Sequence, residues 1–395
     1  MNTNTTARRL LLAALGTLLG ATLMLPAPLS ADSGPAHQAL QSRPIQLGTS
    51  GGHINDRKPA FCCGGTLGAL VTKGGVAYIL SNNHVLARSN LAAVGDDILQ
   101  PSLIDQSPSC AQDAGDVVAD LSAWVPITFT KGTLNAVDAA IAQVRPGMVS
   151  PGGSILDIGT ISSTPAGAAI TMGVMKSGRT TGLTTGIVAA VSVTIDVRYG
   201  SQCGGGRGTA RFTNQIRITP GSFSAGGDSG SLIVENVPSN PRPVGLLFAG
   251  GSNDTFANPI QSALAAFGVT MVGTSTTGET TFWQRLGSLL PSVWTADAEQ
   301  PGRRPIDPGS QAAATQAKAR HELAIMRIEG VVGLGVGASD AAPGQAVVEV
   351  YVKQATPAVR GAIPPRLDNV PVKVVETGEI IARTEVCPQD QPHPR

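Results

Sequence analysis

A chain made mainly of β-strands, with a small α+β unit at its C-terminal end, is the fold class this sequence predicts. Three observations lead there. Glycine supplies 48 of 395 residues while aromatic residues make up only 4%. Val, Thr and Ile recur in short runs broken by Gly or Pro, the punctuation of a many-stranded protein. In residues 191–199, Val191, Val193, Ile195, Val197 and Tyr199 alternate with Ser192, Thr194, Asp196 and Arg198, a period of two that lays one apolar face on a core. The length allows two or three units, and 42% hydrophobic residues are enough to fill them. A net charge of +1 with no long run of either sign leaves no electrostatic footprint for nucleic acid.

Residues 1–31 read as a cleaved export signal. Arg8 and Arg9 precede an apolar run over 10–25, and Pro26, Pro28 and small residues lead to Ala31. The run is shorter than the roughly 20 residues a membrane span needs, so a secreted or periplasmic protein without a transmembrane anchor is expected. The five cysteines suit an oxidising compartment. Cys62 and Cys63 are adjacent, and a bond between them would be strained. Each therefore pairs at most with Cys110 or Cys203, which leaves Cys387 over; free buried thiols are the alternative. No C-x-x-C is present, so no zinc site is expected.

Residues 32–58 are polar and glycine-containing, which fits a linker, an extended arm or a pro-segment. The principal domain is expected over 59–272, with strands at 66–71, 77–81, 139–144, 187–199 and 211–218. A glycine-rich loop at 204–208 returns the chain as an antiparallel partner of the long strand. Asn258 as cap and Pro259 at the first position open a helix that Gly268 ends. Beyond it Phe282, Trp283, Leu286, Leu289, Leu290 and Trp294 recur at helical spacing, a stripe expected to dock on the protein itself. Residues 298–314, rich in Pro, Gly, Gln and Arg, read as a linker, so that 273–315 joins two units. The last unit, 316–383, is expected to hold a helix at 316–327 and strands at 331–336, 346–352 and 370–375, followed by a tail at 384–395. His321 and Glu322 begin an H-E-x-x-H pattern, but Ile325 occupies its fifth position, so no metal site follows.

Acyl transfer near neutral pH needs a nucleophile, a base to take its proton, a carboxylate to orient the base, and donors for the oxyanion. Residues 226–231 read GGDSGS. Glycines there let the N–H groups of Gly227 and Ser229 converge on one point, each such donor contributing about 3 kcal/mol to the transition state. His84, in SNNHVLA, is the histidine of the principal domain, His53 lying upstream in the arm. Asp138, in NAVDAAIAQV, opens an apolar strand, where an unpaired carboxylate would cost several kcal/mol and so calls for a partner. The order His84, Asp138, Ser229 is that of chymotrypsin and of neither subtilisin nor the α/β-hydrolases, whose G-x-S-x-G is excluded by Ser231.

CCGGTLGALV (62–71), SNNHVLA (81–87), NAVDAAIAQV (135–144), KSGRTTGLTTG (176–186), GGDSGSLIV (226–234) and VGLLFAGG (244–251) follow one another in the chain. Together, over roughly residues 45–272, they resemble the trypsin-like peptidases, and among these the bacterial relatives of the plant narrow-leaf-type proteases. The resemblance implies two six-stranded β-barrels, with His84 and Asp138 contributed by the first and Ser229 by the second. KSGRTTG is similar to a stretch of the α-lytic-type endopeptidases, which implies a supporting pair between Lys176 and Asp228. Such a pair would preform the oxyanion hole, since no Ile-Val-Gly-Gly terminus is present to do so. Arg179 beside it reads as a solvated charge. By position Phe223 lies at the base of the primary pocket, with Phe248, Ala249 and Gly250 along its wall, which implies a small or apolar residue before the cleaved bond. The expected activity is that of a serine endopeptidase acting on a peptide or protein substrate through an acyl-enzyme, with no cofactor. A catalytically silent scaffold of the same fold and an esterase on the same barrels are the alternatives.

Overall fold

The computed structural model describes residues 36–59, 61–201, 203, 208–275, 305–382 and 385–388. The export-signal stretch, the aromatic stripe at 282–294 and most of the glycine loop at 204–208 lie outside the described residues. Among the described residues no helix is long and apolar enough to cross a membrane.

The first barrel is built from β1 (Thr49–His53), β2 (Phe61–Leu67), β3 (Ala69–Lys73), β4 (Val76–Ser81), β5 (Asp97–Leu99), β6 (Val117–Trp124) and β7 (Ala140–Val144). β2 and β3 are one strand bent at Gly68. With that bend counted as continuous, six strands close in the order β1, β2/β3, β4, β7, β6, β5 and back to β1, each pair antiparallel. Inward residues such as Leu67, Ile79, Leu80, Leu121 and Ile141 fill it, as the two-residue period of a strand requires. The stretch read as an arm or pro-segment therefore supplies β1, and Ile45 and Leu47 just before it are fully buried.

The second barrel consists of β8 (Gly173–Gly178), β9 (Gly182–Tyr199), β10 (Gly208–Thr219), β11 (Leu232–Glu235), β12 (Pro243–Gly250) and β13 (Thr255–Pro259). It closes in the order β9, β8, β11, β12, β13, β10 and back to β9. The predicted return of the chain after β9 as an antiparallel partner is β10. A helix, α1 (Asn83–Leu86), follows β4, and α2 (Ile260–Phe267) follows β13, stopping at Gly268 in the left-handed region at φ 62°. Asn258 does not cap α2; Pro259 holds that position with no side-chain cap.

Cys62 is bonded to Cys110 and Cys63 to Cys203, with Cα atoms 5.7 Å apart in both pairs. Successive residues of a strand point to opposite faces, which is how neighbours in β2 reach partners so far apart in the chain. These four cysteines are thus paired and not free buried thiols.

The C-terminal unit comprises α3 (Pro308–Ile325), β14 (Val331–Ala338), β15 (Ala346–Val352), α4 (Pro357–Ala362) and β16 (Val370–Glu376). Its helix starts within the predicted linker. Asp307 accepts a hydrogen bond from the Ser310 N–H and Pro308 occupies the first turn, a start signal of Asp followed by Pro. The unit does not stand apart. β14 pairs antiparallel with β9, Val191 opposite Val336 and Ile195 opposite Gly333, so the sheet of the second barrel runs on through β15 and β16. The polar side of β9 is consequently covered too: Thr194 is fully buried, bonded to Lys318 and Glu322 of α3.

Candidate active site

The structure brings His84 and Asp138 into contact and places Ser229 in a turn bonded to the first barrel. His84 lies on α1 at the end of β4, and Asp138 just ahead of β7, the strand paired with β4. His84 Nδ1 and Asp138 Oδ2 are 2.5 Å apart, and the His84 backbone N–H donates to Asp138 Oδ1 at 3.2 Å. With Nδ1–H directed at the carboxylate, Nε2 is the ring nitrogen left for a further partner. It is buried and has no hydrogen-bond partner among the described residues.

Asp138 is fully buried, and its surroundings satisfy it from every side. Tyr199, at the end of β9, donates its phenol to Oδ2 at 2.7 Å, and its ring meets the His84 ring edge-on with centroids 5.8 Å apart. Burial, followed by the Asp138 charge, pushes the Tyr199 phenol well above its ordinary value, so the hydroxyl remains a donor. The Asp138 backbone is held as firmly. Asn258 accepts from its N–H at 3.0 Å, and both Asn82 and Asn258 donate to its carbonyl, at 2.7 and 3.3 Å. Tyr199, Asn82 and Asn258 escaped the sequence reading. For Tyr199 a signal existed, since a tyrosine on a core-facing position must find an acceptor for its hydroxyl.

Ser229 sits in a turn with Gly227 at φ 88° and Gly230 at φ 94°, backbone that a side chain would strain. The turn is locked to the first barrel: the Thr66 N–H donates to Ser229 O at 2.8 Å and Thr66 Oγ1 to Gly227 O at 2.9 Å. A Cβ on Gly230 would overlap Thr66 O and Ser81 Oγ, and one on Gly68 would overlap Gly230 O. Two backbones thus touch where the barrels meet, which explains the glycines in both motifs. Ser229 Oγ donates to Phe248 O at 3.2 Å; His84 Nε2 is not its partner here. Both residues are sealed, Ser229 at 0% exposure and His84 at 1%.

Asp228 and Lys176 are both fully buried, Nζ 3.6 Å from Oδ2. Thr181 Oγ1 bridges them, accepting from Nζ and donating to Asp228 at 2.7 Å. The N–H groups of Thr180, Thr181 and Ala225 complete the carboxylate's shell. Burial lowers the Lys176 pKa and Asp228 opposes that shift. Arg179 is not a solvated charge: only 4% exposed, it pairs with Asp105 through Nε at 2.6 Å and Nη2 at 2.8 Å. Phe223 is fully buried in the second core with the Lys176 ammonium 5.9 Å from its ring centroid. Phe248, Ala249 and Gly250 lie buried on β12, and the Phe248 ring packs against that of Phe212 at a tilt of 55°, centroids 4.9 Å apart.

Two closed six-stranded antiparallel barrels define a trypsin-like fold. The profile of the Nal1 C-terminal domain matches residues 129–261. Among solved structures the chain is similar to a glutamic-acid-specific serine protease described as using a histidine triad in substrate binding (23% identity, TM-score 0.39, covering 57% of this chain and 100% of that one). It is also similar to Thermobifida fusca protease A (18% identity, TM-score 0.38, covering 58% and 99%). A Nocardiopsis protease is a third (17% identity, TM-score 0.36, covering 56% and 97%). No curated protein matches.

Proposed function

We propose that this chain is an exported serine endopeptidase, related to the plant narrow-leaf-type trypsin-like proteases, in which Ser229 attacks a peptide carbonyl. His84 Nε2 takes the Ser229 proton and returns it to the leaving amine. Asp138 holds the ring, and the N–H groups of Gly227 and Ser229 receive the oxyanion. The observation that carries this reading is the buried 2.5 Å contact between His84 Nδ1 and Asp138, which leaves Nε2 as an unpartnered acceptor. A base in that state is what proton abstraction requires. Before attack, Oγ must give up its hydrogen bond to Phe248 O for one to Nε2.

Two disulfides support an oxidising compartment outside the cytoplasm. The sequence position that would form the pocket base holds Phe223 and not the acid that would favour Lys or Arg, which supports preference for a small or apolar residue before the cleaved bond. The test is labelling with a serine-directed fluorophosphonate together with digestion of a peptide library by the full chain, Ser229→Ala and His84→Ala. Labelling at Ser229 and cleavage that both substitutions abolish are expected. Cleavage that survives Ser229→Ala would sink the proposal, and ester turnover without any peptide cleavage would make the protein an esterase.

A further inference from the structure

Two short strands follow β16 and fall on the two barrels. β17 (Ile381–Ala382) pairs antiparallel with β12, Ile381 opposite Gly250 and Ala382 opposite Ala249. β18 (Glu385–Pro388) pairs antiparallel with β2, Glu385 opposite Gly64, Val386 opposite Cys63 and Cys387 opposite Cys62. Both edges border Ser229. Its Oγ bonds to the carbonyl of Phe248, next to Ala249, and its own carbonyl accepts from Thr66, two residues beyond Gly64. Three Cα steps separate Ala382 from Glu385, a reach of at most about 11 Å. The same stretch of chain therefore pairs with the second barrel at Ala249 and with the first at Gly64, on the two strands whose backbones bond to Ser229.

The approach is anchored. Ile380 is 1% exposed in the core that contains Phe248 and Ala249, and its carbonyl accepts from the Arg198 N–H at 2.9 Å. The Ser252 N–H donates to Thr377 O at 2.7 Å. Addition of an extended peptide to an open sheet edge is a general mode of peptide recognition, with main-chain hydrogen bonds supplying the affinity. Here the peptide belongs to the same molecule, so its effective concentration at the edges far exceeds that of a free substrate.

We infer that residues 381–382 and 385–388 are an intramolecular occupant of the substrate path, paired antiparallel with β12 and β2, and that they hold the site closed until displaced. The seal over Ser229 and His84 fits such an occupant. The inference rests on the protease reading for its meaning, since the path it blocks is that of a peptide toward Ser229. It also fixes the polarity of the ligand: an extended peptide runs from Gly250 toward Ala249 and then from Gly64 toward Cys62.

Hydrogen exchange on the unmodified chain tests the occupancy directly. Amides at 381–382 and 385–387 are expected to exchange at least about tenfold more slowly than in a free synthetic peptide of the same residues. Exchange at the free-peptide rate overturns the inference. A full-length Ile381→Pro/Val386→Pro variant removes two N–H groups from the pairing. Amides of Ala140–Val144 report whether it is folded, and if they lose protection the unmodified chain alone decides. In the folded variant the segment is expected to exchange freely and fluorophosphonate labelling of Ser229 to rise about tenfold. Equal, brisk labelling of both proteins overturns closure. A released segment with Ser229 unlabelled in both supports the occupancy and removes the protease reading instead.

Discussion

At the scale of single residues the question is which atoms decide whether Ser229 can react. Asp138 receives three donors: the His84 ring, the His84 N–H and the Tyr199 phenol. Replacing Tyr199 by Phe removes one hydrogen bond to a charged group, about 1.5–3 kcal/mol. For the active protein kcat should fall about tenfold to a hundredfold with KM nearly unchanged, because the loss acts through the orientation of His84. Unchanged kcat would leave Tyr199 a packing residue. Lys176→Met tests the other support. Asp228 keeps its four remaining donors, so the fold should survive, while the turn that presents Gly227 and Ser229 loses its bridge through Thr181. Loss of one oxyanion donor costs about 10²–10³ in kcat, and a decrease of that order is expected; full activity would discard the pair. His84, Asp138 and Ser229 were legible because each brings an electrostatic demand that the sequence displays: a base, a buried acid and a glycine-flanked hydroxyl. Asn258 was misread because a polar residue before proline satisfies the rule for a helix cap, whereas its amide is spent on the backbone of Asp138, 120 positions earlier in the chain. Local rules do not see such partners.

Among the elements, the bent strand β2/β3 carries the most consequence. It lies in the first barrel on both sides of Gly68, supports Ser229 through Thr66 and holds both disulfides. Gly68 is needed for close approach, since a methyl group there would sit on the carbonyl of Gly230, and backbone cannot turn aside as a side chain would. Overpacking of this kind costs about 1–3 kcal/mol. Gly68→Ala is therefore expected to lower the unfolding free energy by that amount and to slow labelling of Ser229 as well, because the strain lands on the turn that carries Ser229. A stability loss without any effect on labelling would separate the bend from the site. Most long strands were readable from periodicity and punctuation, β9 above all. The start of α3 was missed although Asp307 and Pro308 announce it, because the surrounding Pro, Gly and Gln gave the whole stretch the composition of a linker. Arg179 was assigned to solvent for a similar reason. Its partner Asp105 is 74 residues away, and nothing adjacent reveals that either is buried.

For the whole molecule, the junction of the second barrel with the C-terminal unit is a buried charge cluster. Arg217 of β10 pairs with Asp254 at 2.7 Å and with Glu349 of β15 at 2.9 Å, and Tyr351 donates to Glu349 at 3.1 Å. The pairing of residues near 195 with those near 333 joins segments that each looked self-sufficient in sequence, which is why a separate domain was expected. Burial raises the Glu349 pKa above its ordinary 4.5, against the pull of Arg217 and then Lys373. The sign of the pH effect follows. With the folded value above the unfolded one, the native state holds more protons between the two. This group's stabilising contribution is therefore complete below about 4.5 and is lost as pH rises through the folded value. Glu349→Gln removes that titration while keeping the shape. The unfolding free energy of the unmodified chain minus that of the variant should fall as pH rises above 4.5 and become constant beyond the folded value. A difference that grows with pH would mean that attraction to Arg217 and Lys373 outweighs burial. In that event the C-terminal unit, and with it the strand seated beside Ser229, would be held on by charge pairing and loosened by acid.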